Sequence, residues 1–430
     1  MKRSWTVLAV TAALAVVSRT REPLMSAAVV VEWNARLLAI ADAEDHFLTL
    51  KGVRTAAMMH LAIHDALAAI HPRYRPYRLA GVMSKADPVA AANEAAYAVV
   101  VSQYRDQVAA LGTLRDRWRS GYSRAAIDAA QAIGRRAADA ILEAREGDGW
   151  NATAEYHFHP MGPGVYAEFN THSGTPKGFV FGAGWATARP FFLDRASALR
   201  VGPPPAIASE AYTRAFREVK DVGAHVSATR TLDQSHLAMW WKEFVESSHN
   251  RLARELITAH SLDLQVAARF LAMLNANIFD GYVASFDSKF AYNHWRPYTA
   301  IRWASHDGNP DTDEDATWTN LHDHTYAFPS YPSAHGTVCA AAMRAFAEIF
   351  GAKRPFAMTI PEVDAAGPAS GKVKTATPTR RFTSFSSAAR ECADSRVYLG
   401  IHFRYDSDSG YALGRRIGDL AVARQLVPLD

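Results

Sequence analysis

Cysteine is scarce in this chain of 430 residues: there are two, Cys339 and Cys392, and they form no CxxC or zinc-ligand spacing. That excludes a disulfide-stapled scaffold and a zinc ribbon, and it favours two buried free thiols over a single disulfide. A dominant charge is lacking as well. Lys and Arg number 47 against 43 Asp and Glu, a formal net charge of +4. No global field therefore points to nucleic acid, and any cationic site must be local. Beyond the N-terminal segment there is no run of eighteen apolar residues, so no membrane-spanning helix is expected there. P-loop and Rossmann glycine patterns are missing. The 25 Gly and 20 Pro are an ordinary share, which excludes collagen-like and low-complexity chains.

One segment reads as an address. Lys2 and Arg3 precede an uncharged, largely apolar stretch from Trp5 to Val17, followed by Arg19 and Arg21. A basic head and a short apolar core predict a secretory signal peptide over residues 1–21, and hence export, although no good cleavage site follows.

The rest is dominated by helical periodicity. Helices are expected over Val53–Ile70, Pro88–Ala110, Ser123–Glu146, Ser209–Val219, Ser235–His260, Asp263–Lys289 and His335–Phe350. Others are expected over Ser386–Ala393, from Arg396 onward, and from about Ser407 to Leu426. Only Phe179–Phe181 and Lys372–Phe382 suggest short hairpins. Gly147–Gly202 and Trp303–Pro332 read as long loops, which are often functional in a compact helical protein. The expectation is a mainly α protein of two packed helical bundles with the active site in the C-terminal one. Pro203–Pro205 marks the seam between a region 22–205 and a region 206–430.

Three motifs carry chemistry. In KFAYNHWRP, Lys289 and Arg296 are two helical turns apart, so both cations can share a face, and Pro297 tends to end that helix. In FPSYPSAHGT, Ser333 and backbone amides stand at a helix start, where an anion is favoured, with His335 alongside. In SRVYLGIHFRYD, His402 and Asp406 are four apart; on a helix the carboxylate can hold one imidazole nitrogen and free the other. Arg396 is off that stripe and must reach round, with Gly400 leaving room. Each motif alone is consistent with ordinary packing or capping. Jointly they supply cations, a hydroxyl, helix-start amides and two histidines, an inventory suited to a tetrahedral or trigonal-bipyramidal oxyanion.

The pattern K-x6-RP, PS-x-H, SR-x5-H-x3-D resembles the superfamily of vanadium-dependent haloperoxidases and type 2 phosphatidic acid phosphatases. DSKFAYNHWRPYTAIR, FPSYPSAHGTVCAAA and SRVYLGIHFRYDSDSGYALGRRIGD resemble its soluble bacterial haloperoxidase branch most, as do VEWNARLLAI and RTAAMMHLAIHDALAAI near the N-terminus. The resemblance implies one vanadate per chain as cofactor, with His402 bonding vanadium and Asp406 orienting His402. It implies that Lys289, Arg296, Arg396, Ser333 and the amide of Ala334 cradle the oxygens, and that His335 acts as acid/base. Ala334 departs from the usual Gly, and its methyl would crowd the pocket if a positive φ were required.

Hydrogen peroxide, a halide and a small organic acceptor are the implied reactants. Phe328 and Phe286 are the implied walls of a halide pocket, with core packing as their plain alternative. The same pocket could instead hydrolyse phosphomonoesters through a phosphohistidine on His402, without any cofactor, or bind an oxyanion without turnover. Size, the lack of transmembrane helices and Phe328 favour the haloperoxidase.

Other chemistry-bearing residues read as structural. His60 and His64 are four apart but set in apolar core without the Glu of HExxH. His322 and His324 could line an entrance, while His157, His159 and the acidic run Asp311–Asp315 read as loop residues.

Overall fold

The computed structural model describes residues 26–361 and 377–429. The expected signal peptide lies outside the described residues. Five helices come first: α1 (Ala28–Asp45), α2 (Lys51–Ile70), α3 (Pro88–Gln103), α4 (Val108–Arg119) and α5 (Arg124–Ala144). A long irregular stretch holding only the one-turn α6 (Asn170–Ser173) and short 3-10 turns leads to α7 (Glu210–Val222). Then follow α8 (Leu232–Trp240), α9 (Val245–Ala259), α10 (Leu264–Tyr292), α11 (Pro297–Arg302), α12 (Ala334–Phe350), α13 (Phe385–Tyr398) and α14 (Arg404–Arg424). One antiparallel hairpin pairs β1 (Phe356–Thr359) with β2 (Thr379–Phe382), Phe356 opposite Phe382.

The mainly helical expectation holds, and the departures from it are local. The helix expected over Pro88–Ala110 breaks at Tyr104, and that over Ser235–His260 breaks at Trp241–Phe244. Neither break carries Pro or Gly, the usual punctuation. Capping residues account for half of the starts: Asp87, Ser123, Ser209, Thr231, Asp263, Ser333 and Ser384 each accept a hydrogen bond from a first-turn amide. Phe179–Phe181 forms no strand, and the strand at the end of Lys372–Phe382 pairs with Phe356–Thr359 rather than within its own segment.

The 29-residue α10 is buried over nearly all of its length. It packs against α2 on one side and α12 on the other, so one hydrophobic core runs across position 205 without interruption. Asp263 caps its start, and Asn293, in the left-handed region with φ 49°, ends it. The face of α14 toward α12 is nearly bare. A Cβ at Gly410 would come 2.4 Å from the Ser333 carbonyl oxygen, and one at Gly414 would come 2.0 Å from that of Thr337. Those glycines let the two site-bearing helices touch backbone to backbone.

The cysteines correct an expectation. Cys339 on α12 and Cys392 on α13 form a disulfide. Both face the seam between two adjacent helices, a proximity that a separation of 53 residues does not disclose.

Candidate active site

The three motifs meet. Lys289 sits in the last turn of α10, but Arg296 does not share its helix. Asn293 turns the chain, and Pro297 is the first residue of α11, so Arg296 stands at the N-cap of a new helix instead of two turns along the old one. Its guanidinium is fully buried. Nε donates to the Phe328 carbonyl at 2.8 Å, and Nη1 donates to the Ile401 carbonyl at 2.9 Å and to His402 Nε2 at 3.2 Å. Burial lowers the pKa of this arginine to about 10, which leaves it charged at neutral pH.

Nor does His402 lie on a helix. Gly400, with φ 80°, ends α13 in a conformation reserved for glycine, and a Cβ there would come 2.3 Å from the Gly223 carbonyl. The chain then delivers His402 just ahead of α14, in whose first turn Asp406 stands. The pair forms all the same: His402 Nδ1 lies 2.9 Å from Asp406 Oδ2. An arginine can only donate, so Nε2 is the acceptor and Nδ1 carries the proton. The same carboxylate oxygen accepts from the Ser330 hydroxyl and from the Phe403 amide at 3.1 Å.

Burial, then Arg296, Lys289, Arg396 and His335, push the His402 pKa well below the usual imidazole value. The ring is therefore neutral, with its lone pair on Nε2. Burial raises Asp406 to about 7, against the Ser330 hydroxyl, Lys289, the Phe403 amide and Arg296.

Lys289 is placed behind the site. Its ammonium donates to the carbonyls of Pro329, Ser330 and Pro332 at 3.0, 2.7 and 2.6 Å, and it lies 5.1 Å from the Phe328 ring centre. Burial and Arg296 lower its pKa, and Asp406 opposes them. Its three hydrogen bonds fix the turn that leads into α12. Ser333 caps α12 by accepting from Gly336 at 3.2 Å, and its own amide donates to the Asp406 carbonyl at 2.9 Å. Ala334 is the first helical residue and has no positive φ, so its methyl brings no backbone strain.

Ala334, His335, Arg396, Ile401 and His402 line one cavity of about 720 Å³, together with Phe286 and Phe328. Phe286 and Phe328 stand 5.3 Å apart, centre to centre. His335 is half-buried. Burial, then Arg396 and His249, drive its pKa well below the usual value, against a backbone hydrogen bond at Trp241. Arg396 donates to the Trp241 carbonyl at 3.2 Å.

Sequence reasoning missed several contributors. Ser330 lies inside the quoted FPSYPSAHGT motif and could have been found there. Lys242, which also lines the cavity, sits in a WWKE stretch with no motif of its own. Of the entrance candidates, His324 lines the cavity, and His322 stacks edge-on to it at 5.5 Å.

The remaining groups lie elsewhere. His60 bonds Asn34 at 3.0 Å and His64 bonds the Arg75 carbonyl at 3.0 Å, both inside the core. Of the acidic run, Asp311 and Asp313 bind Arg217 and Lys220 of α7. His157 is exposed and lies 3.8 Å from Glu155.

Comparison with known proteins agrees with the helical fold. Residues 269–428 match the second helical-bundle domain of the vanadium chloroperoxidase (VCPO) family model. The vanadium chloroperoxidase of Curvularia inaequalis is 25% identical over 207 residues, 37% of this chain and 32% of that protein, so the match spans about a third of the relative's length. A bacterial vanadium-dependent iodoperoxidase superposes with a TM-score of 0.76 at 23% identity, covering 96% of this chain and 100% of its own. A holo-type bacterial vanadium-dependent chloroperoxidase gives 0.66 at 18% identity, over 86% and 90%. At those identities the two structures speak to fold alone. The match over residues 269–428 takes in all three motifs, and the two solved structures share the fold of the chain as a whole.

Proposed function

We propose that this protein is a vanadate-dependent haloperoxidase, catalysing R–H + X⁻ + H₂O₂ + H⁺ → R–X + 2 H₂O. The observation that carries the reading is the opening of His402, His335 and Arg396 into one cavity beside Phe286 and Phe328. The residues fit the cofactor. Arg296 Nη2 and His335 Nε2 are buried without a protein partner, as polar atoms completed by a bound anion would be. A neutral imidazole beside several cations is the donor set that an oxyanion of vanadium requires. Bound vanadate would supply Lewis-acid activation of peroxide without a change in metal redox state.

The protein's own groups do the rest. His402 offers the Nε2 lone pair, and Asp406 and Ser330 hold the proton on Nδ1, as outer-sphere partners of metal-bound histidines do. Arg296 and Arg396 neutralise oxygens, the first-turn amides of α12 add their dipole, and Lys289 contributes charge from behind the floor. His335, neutral in this field, is set to accept a proton from peroxide. A phosphatase would need the same ring protonated to serve a leaving alcohol, which the depressed pKa opposes. Phe286 and Phe328 give a halide a weakly hydrated wall. Export through the N-terminal segment is part of the proposal.

Protein incubated with orthovanadate should halogenate a phenolic dye when given peroxide and bromide or chloride. His402→Ala should lose at least about a thousandfold, as expected for a group acting directly on the reaction. Release of phosphate from an aryl phosphate without vanadate, and without halogenation, would replace this reading with the phosphatase. Failure to bind either oxyanion would leave neither enzyme.

A further inference from the structure

The disulfide between α12 and α13 has a third neighbour. Cys339 follows His335 by four residues on α12, so imidazole and sulfur share one face of that helix, and Cys392 meets them from α13. One ring nitrogen of His335 and the two sulfurs all lie within 4.8 Å of one another. Among the described residues no other His, Cys, Asp or Glu side chains converge in this way.

Both cysteines are fully buried in the hydrophobic core, whereas His335 lines the cavity, so the trio is approached through the imidazole. The ring is placed to take a ligand. Its Nε2 is buried without a protein partner, and the ring is held by a hydrogen bond to the Trp241 backbone. Metal-bound histidines are oriented by outer hydrogen bonds of that kind.

While the disulfide is closed, the sulfurs are spent on each other. A reductant of the phosphine class, together with one water, converts the bond to two thiols and itself becomes the phosphine oxide. Two sulfurs bound at about 2.3 Å to a tetrahedral ion stand about 3.8 Å apart. The Cα atoms of the cysteines are 6.7 Å apart, so rotation about the Cα–Cβ bonds can part the sulfurs that far.

We propose that His335, Cys339 and Cys392 form, in the reduced chain, a binding site for a thiophilic divalent cation of the zinc and cadmium class. Two thiolates and one imidazole are the protein ligands, and water completes the tetrahedron. On binding, each thiol gives its proton to solvent, so the two thiolates balance the charge of the ion. The site does not rest on the haloperoxidase reading. Where that reading holds, the ion takes the imidazole assigned to proton transfer, and the redox state of one bond decides which task His335 serves.

The test uses the full chain, reduced with a phosphine, freed of it without air, and titrated with Cd²⁺. One ion per chain should bind, with a thiolate-to-cadmium charge-transfer band in the ultraviolet and a shifted His335 ring nitrogen in NMR. The unreduced chain should show neither. Reduced His335→Ala and the bulkier His335→Gln should each bind at least about a hundredfold more weakly, since a direct ligand counts for more than an outer-sphere partner. Cys339→Ser with Cys392→Ser should lose the band. Equal cadmium affinity in the reduced wild type and either His335 variant, an unmoved His335 nitrogen, or equal binding by the unreduced chain overturns the site. So does a reduced chain that stays folded and binds no cadmium, and so does unfolding on reduction that cadmium present from the start does not prevent. Orthovanadate titrated into the unreduced chain tests the haloperoxidase reading separately.

Discussion

Two pairs at the same four-residue spacing, His60 with His64 and His402 with Asp406, end in opposite places. His60 and His64 lie on α2 with both rings wholly in the core, and their partners are an Asn side chain and a backbone carbonyl. His402 and Asp406 straddle the start of α14, and His402 opens on a cavity that Arg396 and Lys242 also line. Burial lowers both His60, to about 3, and His402, so a depressed pKa does not separate them. What separates them is the neighbour of each ring: at His402, a carboxylate that fixes the tautomer on one nitrogen, and a guanidinium at the edge of the cavity beside the other.

Substitution should sharpen that contrast. Asp406→Asn removes the partner of Nδ1 and should cost about 10- to 100-fold in vanadate affinity or turnover, as loss of an outer-sphere partner commonly does. His60→Ala should leave both intact and instead cost about 1–3 kcal/mol in stability, because Asn34 loses a buried partner. Equal catalytic damage from the two, with stability matched, would erase the distinction.

The disulfide gives a second contrast. Cys339 lies one turn after His335 and Cys392 one turn before Arg396, so the bond ties together the two helices that present these groups. Closing a loop of 53 residues constrains the unfolded chain by about 4 kcal/mol in the chain-entropy account. Cys339→Ser with Cys392→Ser should lower the urea midpoint correspondingly and weaken vanadate binding by a smaller factor. An unchanged midpoint would argue against the cross-link in solution.

The same contrast sets what could be read in advance. Helices α2, α10 and α12 were legible because their apolar spacing runs unbroken and Asp263 or Ser333 marks the start. The convergence of Lys289, Arg296, Ser333, Arg396 and His402 was legible because chemistry limits which residues can serve an oxyanion. The route to it was not. Asn293 and Gly400 each end a helix that periodicity alone would continue, so Arg296 and His402 reach the site from turns. Phe181, Trp185 and Tyr326 were hidden because long loops place them, and Lys242 because it sits in the short break between α8 and α9; nothing local records where such segments land.

The smallest expected effect concerns pH. The folded pKa of His402 is depressed, so its neutral form persists below the ordinary value near 6.5 and is lost only as pH falls through the lower folded value. Between pH 7.5 and 5.5 its ring nitrogens should keep the shifts of a neutral Nδ1–H imidazole in NMR, despite the raised pKa of Asp406 beside it. Protonation with a midpoint near 6.5 would show that burial and the surrounding cations do not govern this ring.

Equilibrium dialysis of orthovanadate against the full chain and two variants tests the central claim most directly. One vanadate per chain should bind to the wild type and to His60→Ala, and none to His402→Ala. Undiminished binding to His402→Ala, or none to the wild type, would contradict an oxyanion site founded on that imidazole.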